Sequence, residues 1–220
     1  MSAIDPASVA LLVIAKEPRP GHAKTRLVPA LGAAGAAAIA RACLEDTLWG
    51  VAETPAAERV LVLDGDPGDW IPPTAGFRVI PQREGGLAAR LAGAFEDSGA
   101  TPAVLVGMDT PQLNAGLLTE AIGRLAAEGT DAVLGPASDG GYWAIGLREP
   151  DPAVFAGVPM SAADTGDRQR SRLAELGLGW TELEQLRDID TIEDARAIAQ
   201  IAPWTRCAAE LRRLEREEAA

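Results

Sequence analysis

The chain is poor in the residues that build several common kinds of site. It has one histidine, His22, so a catalytic triad that uses histidine and a metal centre with several histidines are both excluded. Its two cysteines, Cys43 and Cys207, are far apart and match no metal or redox spacing. This predicts two reduced thiols in a cytoplasmic protein. We expect His22 to be a loop residue rather than a base.

Aromatic residues and long apolar runs are also scarce. Aromatic residues make up 4% of the chain and hydrophobic residues 47%, so the core is expected to consist of Ala, Leu, Val and Ile. A length of 220 residues suits one α/β domain with a substantial core. The apolar run at 9–15 is too short to span a membrane, and the Ala-rich segment after it contains Arg41 and Glu45. We therefore expect a soluble protein.

Basic residues are outnumbered. The net charge is −12, which argues against binding along a nucleic acid and against an anionic membrane surface. A nucleotide is not excluded, because one local cationic loop is enough to bind its phosphates.

Lysine is confined to one such loop. Lys16 and Lys24 are the only lysines, and with Arg19 and Arg26 they fall within eleven residues that also hold two prolines and a glycine. The loop follows the run at 9–15, which has the continuous apolar pattern of a strand buried on both faces. Ligands bind at the carboxyl ends of such strands, and Lys is a common phosphate ligand. The alternative is a solvated loop that keeps the protein soluble.

The remaining pattern alternates strands and helices. Predicted strands cover 59–64, 77–80, 102–107, 131–135, 142–147 and 179–183; predicted helices cover 32–53, 87–97, 114–128, 168–176, 192–201 and 203–220. The connection between 131–135 and 142–147 is too short for a parallel crossover, so the sheet should be mixed. We expect one domain over 1–220, with a disordered lead-in at 1–8 and a flap at 148–166.

Two acidic residues follow predicted strands. Asp109 comes directly after the strand at 102–107, and Asp190 follows the strand at 179–183, with Asp188 as its neighbour. Mg²⁺ is typically held by one or two carboxylates together with phosphate oxygens of the substrate. The alternative interpretations are that Asp109 caps the helix at 114–128 and that the Asp-Ile-Asp segment simply starts a helix.

A glycine turn joins the two short strands. Asp139-Gly140-Gly141 leads into Tyr142 and has the composition of a tight turn. Asp139 either forms the corner of a hairpin or lies where the glycines let the backbone approach an acceptor molecule.

These segments together resemble a bacterial glycosyltransferase-A-type family of unknown function. That family is related to the guanylyltransferases that activate small phosphorylated acids in deazaflavin cofactor synthesis. The resemblance is carried by segments 15–21, 24–27, 107–113, 135–142 and 188–191 together with Asp194.

The resemblance implies a fold and a set of site residues. The fold is a three-layer α/β/α sandwich with a mixed, mainly parallel sheet, as in nucleotide-diphospho-sugar transferases (GT-A). Asp109 and Asp190 would hold Mg²⁺ or Mn²⁺, and with Lys24 they would form the catalytic set. The implied nucleotide contacts are Ala15, Lys16, Pro18, Gly21, Lys24, Thr25, Arg26, Gln82, Gly85 and Gly107; the implied acceptor contacts are Asp139, Gly140, Gly141 and Tyr142.

Two segments depart from the family pattern. Where relatives have Gln-x-Gly-x-Asp-Leu-Gly, this chain has Gln82 followed by Arg-Glu-Gly-Gly-Leu-Ala, so it loses the acid, where Gly86 stands, and a glycine, where Ala88 stands. Where relatives have Trp followed by Ser or Gly and Thr, it has Met160-Ser161-Ala162. Both departures bear on the acceptor side and on activity.

Three functions fit this pattern. The first is a metal-dependent transferase that uses a sugar joined to a nucleoside diphosphate, and the second moves a nucleoside monophosphate from a triphosphate to a phosphorylated or phosphonate acceptor. The third is an inert nucleotide-binding regulator. The expected partners are a nucleotide donor and a small acceptor, without nucleic acid or membrane; a homodimer stays open.

Overall fold

One mixed sheet of seven strands organises the protein. The computed structural model describes residues 2–72 and 76–219, and within them the strand order is β3-β2-β1-β4-β6-β5-β7. The strands are β1 (Ala10–Lys16), β2 (Arg59–Asp64), β3 (Arg78–Pro81), β4 (Ala103–Gly107), β5 (Ala132–Pro136), β6 (Tyr142–Leu147) and β7 (Trp180–Glu182).

The described part of the chain forms six α-helices. They are α1 (Val28–Glu53), α2 (Leu87–Ser98), α3 (Ala115–Ala126), α4 (Thr165–Glu175), α5 (Ile192–Ile201) and α6 (Arg206–Glu218). Gly32 lies inside α1 with a φ of 68° and breaks its first turn from the rest of the helix. The bounds agree with the sequence pattern to within three residues, with the exception of the start of α1, which lies four residues earlier.

Strand direction follows from connection length. Strand β6 pairs antiparallel with both β4 and β5, while the other paired neighbours run parallel. The predicted mixed sheet is confirmed. Because β6 reverses the chain, the β5–β6 turn lies at the edge of the sheet where β1 and β4 end.

Apolar side chains pack on both faces of the sheet. Helices α1 and α3 cover one face and α2 and α4 the other, which gives three layers. Helices α5 and α6 pack on the outer side of α1, where Ile39, Ile198 and Leu211 meet. The α/β/α sandwich predicted from the resemblance is confirmed.

Helix α1 is unusually apolar. The segment Thr25–Glu53 has a mean hydropathy of 1.7 over its most apolar window and is long enough to cross a membrane by length and composition. Half of that window is buried inside the protein. Since α1 lies between the sheet and α5–α6, its apolar character is explained by packing on two sides.

The lead-in at 1–8 was predicted to be disordered, and over residues 2–8 this is wrong. Pro6–Ser8 forms a 3₁₀ turn capped by Asp5. The backbone N–H of Ile4 donates to the carbonyl of Ala126 at 3.0 Å, and the guanidinium of Arg148 donates to the carbonyl of Ser2 at 2.7 Å. A buried arginine and the end of α3 therefore fix the segment; Met1, 73–75 and Ala220 lie outside the described residues.

Asp46 joins α1 to the start of α6. Its carboxylate is 8% exposed and accepts hydrogen bonds from the backbone N–H groups of Arg206 and Cys207, each at 3.0 Å. Burial raises the pKa of Asp46 above its ordinary value, although these bonds favour the charged form. Beside this junction the free thiols of Cys43 and Cys207 lie 3.4 Å apart.

We expect Asp46→Ala to lower the free energy of unfolding by about 1–3 kcal/mol, because two buried N–H groups lose their acceptor. Urea unfolding of this variant, with Glu128→Ala on the surface as a control, measures the loss. Equal stability of the two variants would show that Asp46 does not anchor α6.

Candidate functional site

A cavity of about 750 Å³ opens at the carboxyl ends of the central strands. Its walls come from the loops after β1, β4, β5 and β7, together with α2 and residues 160–163. The loop after β7 is tied to the loop after β4, since the N–H of Ile189 donates to the carbonyl of Asp109 at 3.0 Å. Four separate segments thus meet at the predicted edge.

Lys24 lies at the centre of this meeting point. Its side chain is 6% exposed, and its Nζ lies 2.9 Å from Asp109 Oδ1 and 3.5 Å from Asp190 Oδ1. Nζ also donates to the carbonyl of Ile189. Burial disfavours the charged ammonium, but Asp109, Cys43 and Asp190 favour it, so the pKa of Lys24 lies above its ordinary value.

The backbone of Lys24 is in the left-handed region, with φ 52° and ψ 40°. A residue with a side chain adopts this conformation at an energetic cost of the order of 1–2 kcal/mol. The three contacts of its ammonium offset that cost. Strain held in this way is typical of ligand sites, where the surrounding structure fixes a residue in an unfavourable conformation.

Asp109 and Asp190 are not helix caps. Asn114 caps α3 by accepting from two backbone N–H groups, and Thr191 caps α5 in a capping box with Asp194. The alternative interpretations of Asp109 as a cap and of Asp190 as a simple helix start are therefore wrong. Both carboxylates remain exposed to the cavity, at 41% and 37% of their side-chain surface.

Three carboxylates form a compact group at one end of the cavity. Oxygen atoms of Asp139, Asp188 and Asp190 all lie within 4.8 Å of one another. Asp139 also accepts from the N–H of Gly141 at 2.8 Å, so its hairpin-corner role and its place at the site coexist. Asp190 belongs to this group, whereas Asp109 faces Lys24.

The group is electrostatically strained. Burial, followed by the neighbouring carboxylate of Asp139, raises the pKa of Asp188 to about 6. Arg26 partly relieves the charge, because its guanidinium lies 2.7 Å from Asp190 Oδ2. Four carboxylates face the two cations Lys24 and Arg26, which leaves an excess of negative charge.

Most of the predicted site residues line this cavity. Those that do are Ala15, Lys16, Lys24, Thr25, Arg26, Gln82, Gly107, Asp109, Asp139, Gly141, Tyr142 and Asp190. Pro18, Gly21, Gly85 and Gly140 do not contribute to its lining. Pro18 and Gly21 instead shape the turn that carries Lys24, and Gly21 has a φ of 77°.

Gln82 lines the cavity with a carboxamide that is already engaged. Its Nε2 donates to the carbonyls of Ala15 and Val62, at 2.5 and 3.1 Å, and its Oε1 accepts from Arg90 at 3.3 Å. Both amide hydrogens are therefore used within the protein. The geometry gives Gln82 a positioning role for β1 and Arg90.

Among the cavity residues that the sequence reasoning missed, three carry or can carry a charge: His22, Arg90 and Asp188. His22 and Arg90 both line the wall, next to Asp64, at 3.9 and 3.0 Å from its Oδ2. Asp188 was noted only as a neighbour of Asp190. A signal for it existed: an extended Asp-Ile-Asp segment with Ile189 fully buried directs both acids to the same side.

The flap at 148–166 packs onto the glycine turn. The N–H of Gly166 donates to the carbonyl of Gly140 at 2.8 Å, and the carbonyl of Ala163 lies directly over the Cα of Gly140. Tyr142 is partly buried against the flap, where its hydroxyl lies 3.3 Å from Gln169 Oε1 and 3.7 Å from Met160 Sδ. The flap therefore forms a fixed wall that departs from the family pattern at 160–162.

Sequence comparison assigns the chain to a family. The model of a family described as uncharacterized proteins conserved in bacteria, DUF2064, matches residues 47–162, more than half of the chain. The chain belongs to the DUF2064 family. No curated protein sequence matches this DUF2064 protein.

Solved structures share its fold. A protein from Desulfovibrio desulfuricans, provisionally named a nucleotide-diphospho-sugar transferase, superposes with a TM-score of 0.81 at 29% identity over 99% of this chain and 98% of its own. A cytidylyltransferase from Leptospira borgpetersenii gives 0.57 at 15% identity over 96% and 95%. Glucosyl-3-phosphoglycerate synthase from Mycobacterium tuberculosis gives 0.52 at 12% over 91% and 80%.

These similarities confirm a GT-A-like member of a family of unknown function. None of the three proteins named above is a guanylyltransferase, so the predicted link to deazaflavin cofactor synthesis stays a prediction.

Substitution of Gly140 tests how closely the flap packs against the glycine turn of this DUF2064 protein. A Cβ there would overlap the carbonyl of Ala163, and the φ of +90° disfavours any side chain. We expect Gly140→Ala to lose about 2–4 kcal/mol of unfolding free energy in urea. Gly99→Ala is the matched control, since Gly99 has a φ of +63° with open space around it; a similar loss in both variants would argue against close packing.

The raised pKa of Asp188 makes stability depend on pH. Between about pH 4 and pH 6 the folded protein holds a proton on Asp188 that the unfolded chain releases, so this group's contribution to stability falls as pH rises. We therefore compare the free energy of unfolding of Asp188→Asn with that of wild type at both pH values. The difference in favour of the variant should be larger at pH 7 than at pH 4 by of the order of 1 kcal/mol, after allowance for solvent screening. Urea unfolding at both pH values measures this; parallel pH profiles of variant and wild type would contradict it.

Proposed function

We propose that the protein is a nucleotide-dependent transferase assisted by a divalent ion, with a sugar joined to a nucleoside diphosphate as its donor. One observation carries this proposal. Three carboxylates and the cations Lys16, Lys24 and Arg26 line a single cavity at the carboxyl edge of a GT-A-like sheet. A diphosphate with a divalent ion is the ligand whose charges match such a mixture.

The donor set fits Mg²⁺ or Mn²⁺. Ligand oxygens about 2.1 Å from an octahedral ion lie roughly 3–4 Å apart, which agrees with the 4.8 Å limit within which Asp139, Asp188 and Asp190 are grouped. We assign the ion to these three carboxylates, whereas Asp109 is paired with the ammonium of Lys24. When bound, the ion neutralises the diphosphate oxygens on which charge develops as the donor bond breaks.

Under this proposal the two lysines of the cavity have different roles. Lys24 holds Asp109 and Asp190 at a fixed spacing through its ammonium. Lys16, exposed at the end of β1, lines the same cavity and supplies a positive charge for phosphate oxygens. Preorganised cations of this kind stabilise charge in the transition state without having to rearrange.

Few cationic side chains of the basic loop are free to bind additional phosphate groups, which favours a sugar diphosphate donor over nucleotidyl transfer. A triphosphate requires more compensating charge than a sugar diphosphate does, yet Lys24 and Arg26 already face carboxylates. Arg19 lies 3.7 Å from Glu17 and does not line the cavity. The provisional name of the D. desulfuricans protein, and the Mn²⁺ and UDP bound by the M. tuberculosis synthase, support the same choice.

A ligand panel tests the proposal. Thermal unfolding is measured with nucleoside triphosphates and with nucleotide sugars, each with and without Mn²⁺. A donor at 100 times its Kd should add about 2.7 kcal/mol of stability. We expect a stabilisation by a nucleotide sugar that requires Mn²⁺, and turnover when acceptors are added.

Asp190→Asn is the decisive variant in that panel. It removes a ligand charge, and we expect it to abolish the Mn²⁺-dependent shift and to reduce turnover by about 10²–10³. Glu128→Gln, on the surface after α3, should behave as wild type. Stabilisation by triphosphates alone would favour nucleotidyl transfer, and binding without any turnover would favour the inert regulator.

A further inference from the structure

A second recess lies on the far side of the loops that carry the carboxylates. This outer pocket has a volume of about 460 Å³ and is bordered by the start of α3, the loop after β7 and the connection between α5 and α6. The residues that matter for its chemistry are Gln112, Glu184, Gln185, Arg187, Ile201 and Trp204.

The outer pocket and the main cavity share three loops. Arg187 lines the outer pocket, and the adjacent Asp188 lines the main cavity. In the loop after β5, Ser138 likewise lines the outer pocket and Asp139 the main cavity. The loops are bonded to one another, because the N–H of Ser138 donates to the carbonyl of Leu186 at 2.9 Å. The outer pocket is therefore framed by ordered backbone.

Two large apolar side chains stand unusually exposed at this pocket. Trp204 is 76% exposed and Ile201 is 61% exposed. By comparison, the indole of Trp49 is 38% exposed and lies under the guanidinium of Arg206. Exposed apolar side chains that line one recess form a candidate binding surface.

The polar groups of the pocket comprise one cation that is already paired and several hydrogen-bonding groups. Arg187 is paired with Asp194 at 2.9 Å, and Glu184 and Gln185 are exposed. In the part of the chain that the structure describes, the carboxamide oxygen of Gln112 is enclosed without a hydrogen-bond partner. The Nε2 of the same carboxamide donates to the carbonyl of Arg187 at 2.6 Å, and a hydrogen bond from a ligand to the oxygen would relieve the cost of an unsatisfied polar atom.

We propose that the outer pocket binds a neutral saccharide. The flat apolar face of Trp204 suits the C–H face of a sugar ring, and carboxamide and carboxylate groups suit its hydroxyls. Arg187 is engaged by Asp194, so its charge is not available to a phosphate. This site goes beyond the proposed transferase site and does not require the metal or the nucleotide.

Nitrogen-15 labelling of the indoles tests the proposal on the full chain, which has five tryptophans. Glucose, maltose and N-acetylglucosamine are titrated, and the indole N–H signal of Trp204 is assigned by its loss in Trp204→Phe. We expect this signal to shift saturably with at least one sugar while the signal of Trp49 stays unchanged. By calorimetry, Trp204→Ala should weaken binding at least tenfold and Glu184→Ala severalfold, whereas Trp49→Ala should match wild type.

Three outcomes would overturn the proposal. One is the absence of a saturable shift with all three sugars, and another is a shift with adenosine alone, which would indicate a nucleoside site. The third is a shift of the Trp204 signal on dilution without ligand, which would indicate an interface between copies of this chain. Asp190→Asn separates this proposal from the transferase, because it should abolish donor binding and leave sugar binding intact.

Discussion

The buried ammonium of Lys24 is the contact on which the candidate site depends. It touches two carboxylates and one carbonyl that come from the loops after β4 and β7, while its own backbone belongs to the loop after β1. Without a central positive charge, these carboxylates would repel one another across two loops that the backbone hydrogen bond from Ile189 to Asp109 also joins. The strained backbone of Lys24 shows that its place is set by this charge rather than by local preference.

A single reversed strand completes the arrangement. Strand β5 is parallel to β7, so a helical crossover would also leave from this edge, but it would carry the chain onto a face of the sheet soon after Asp139. The tight turn into β6 instead keeps Gly141 and Tyr142 at the cavity. Because β6 runs antiparallel between β4 and β5, the tight turn lies at the edge where β4 and β7 end. The strand topology therefore brings the acidic side chains together, and the positive charge of Lys24 reduces the repulsion between them.

The sequence was a good guide to the elements and to the place of the site. Apolar run length predicted the strands, and the short connection predicted the reversed strand. The finer pairings were not accessible, because they depend on side chains far apart in sequence: Lys24 with Asp109, and Gln82 with the backbone of β1. The lead-in was misjudged for a similar reason, since Arg148 and Ala126 fix it from distant parts of the chain.

The contact between Gly140 and the carbonyl of Ala163 has a consequence for the comparison of relatives. A homologue that carries any larger residue at this turn cannot pack its flap in the same way, so this wall of its cavity must differ in shape. One alignment column therefore sorts family members by the architecture of this wall before any of their structures is known. Members that share the glycine form the group to which the geometry described for this protein can be transferred.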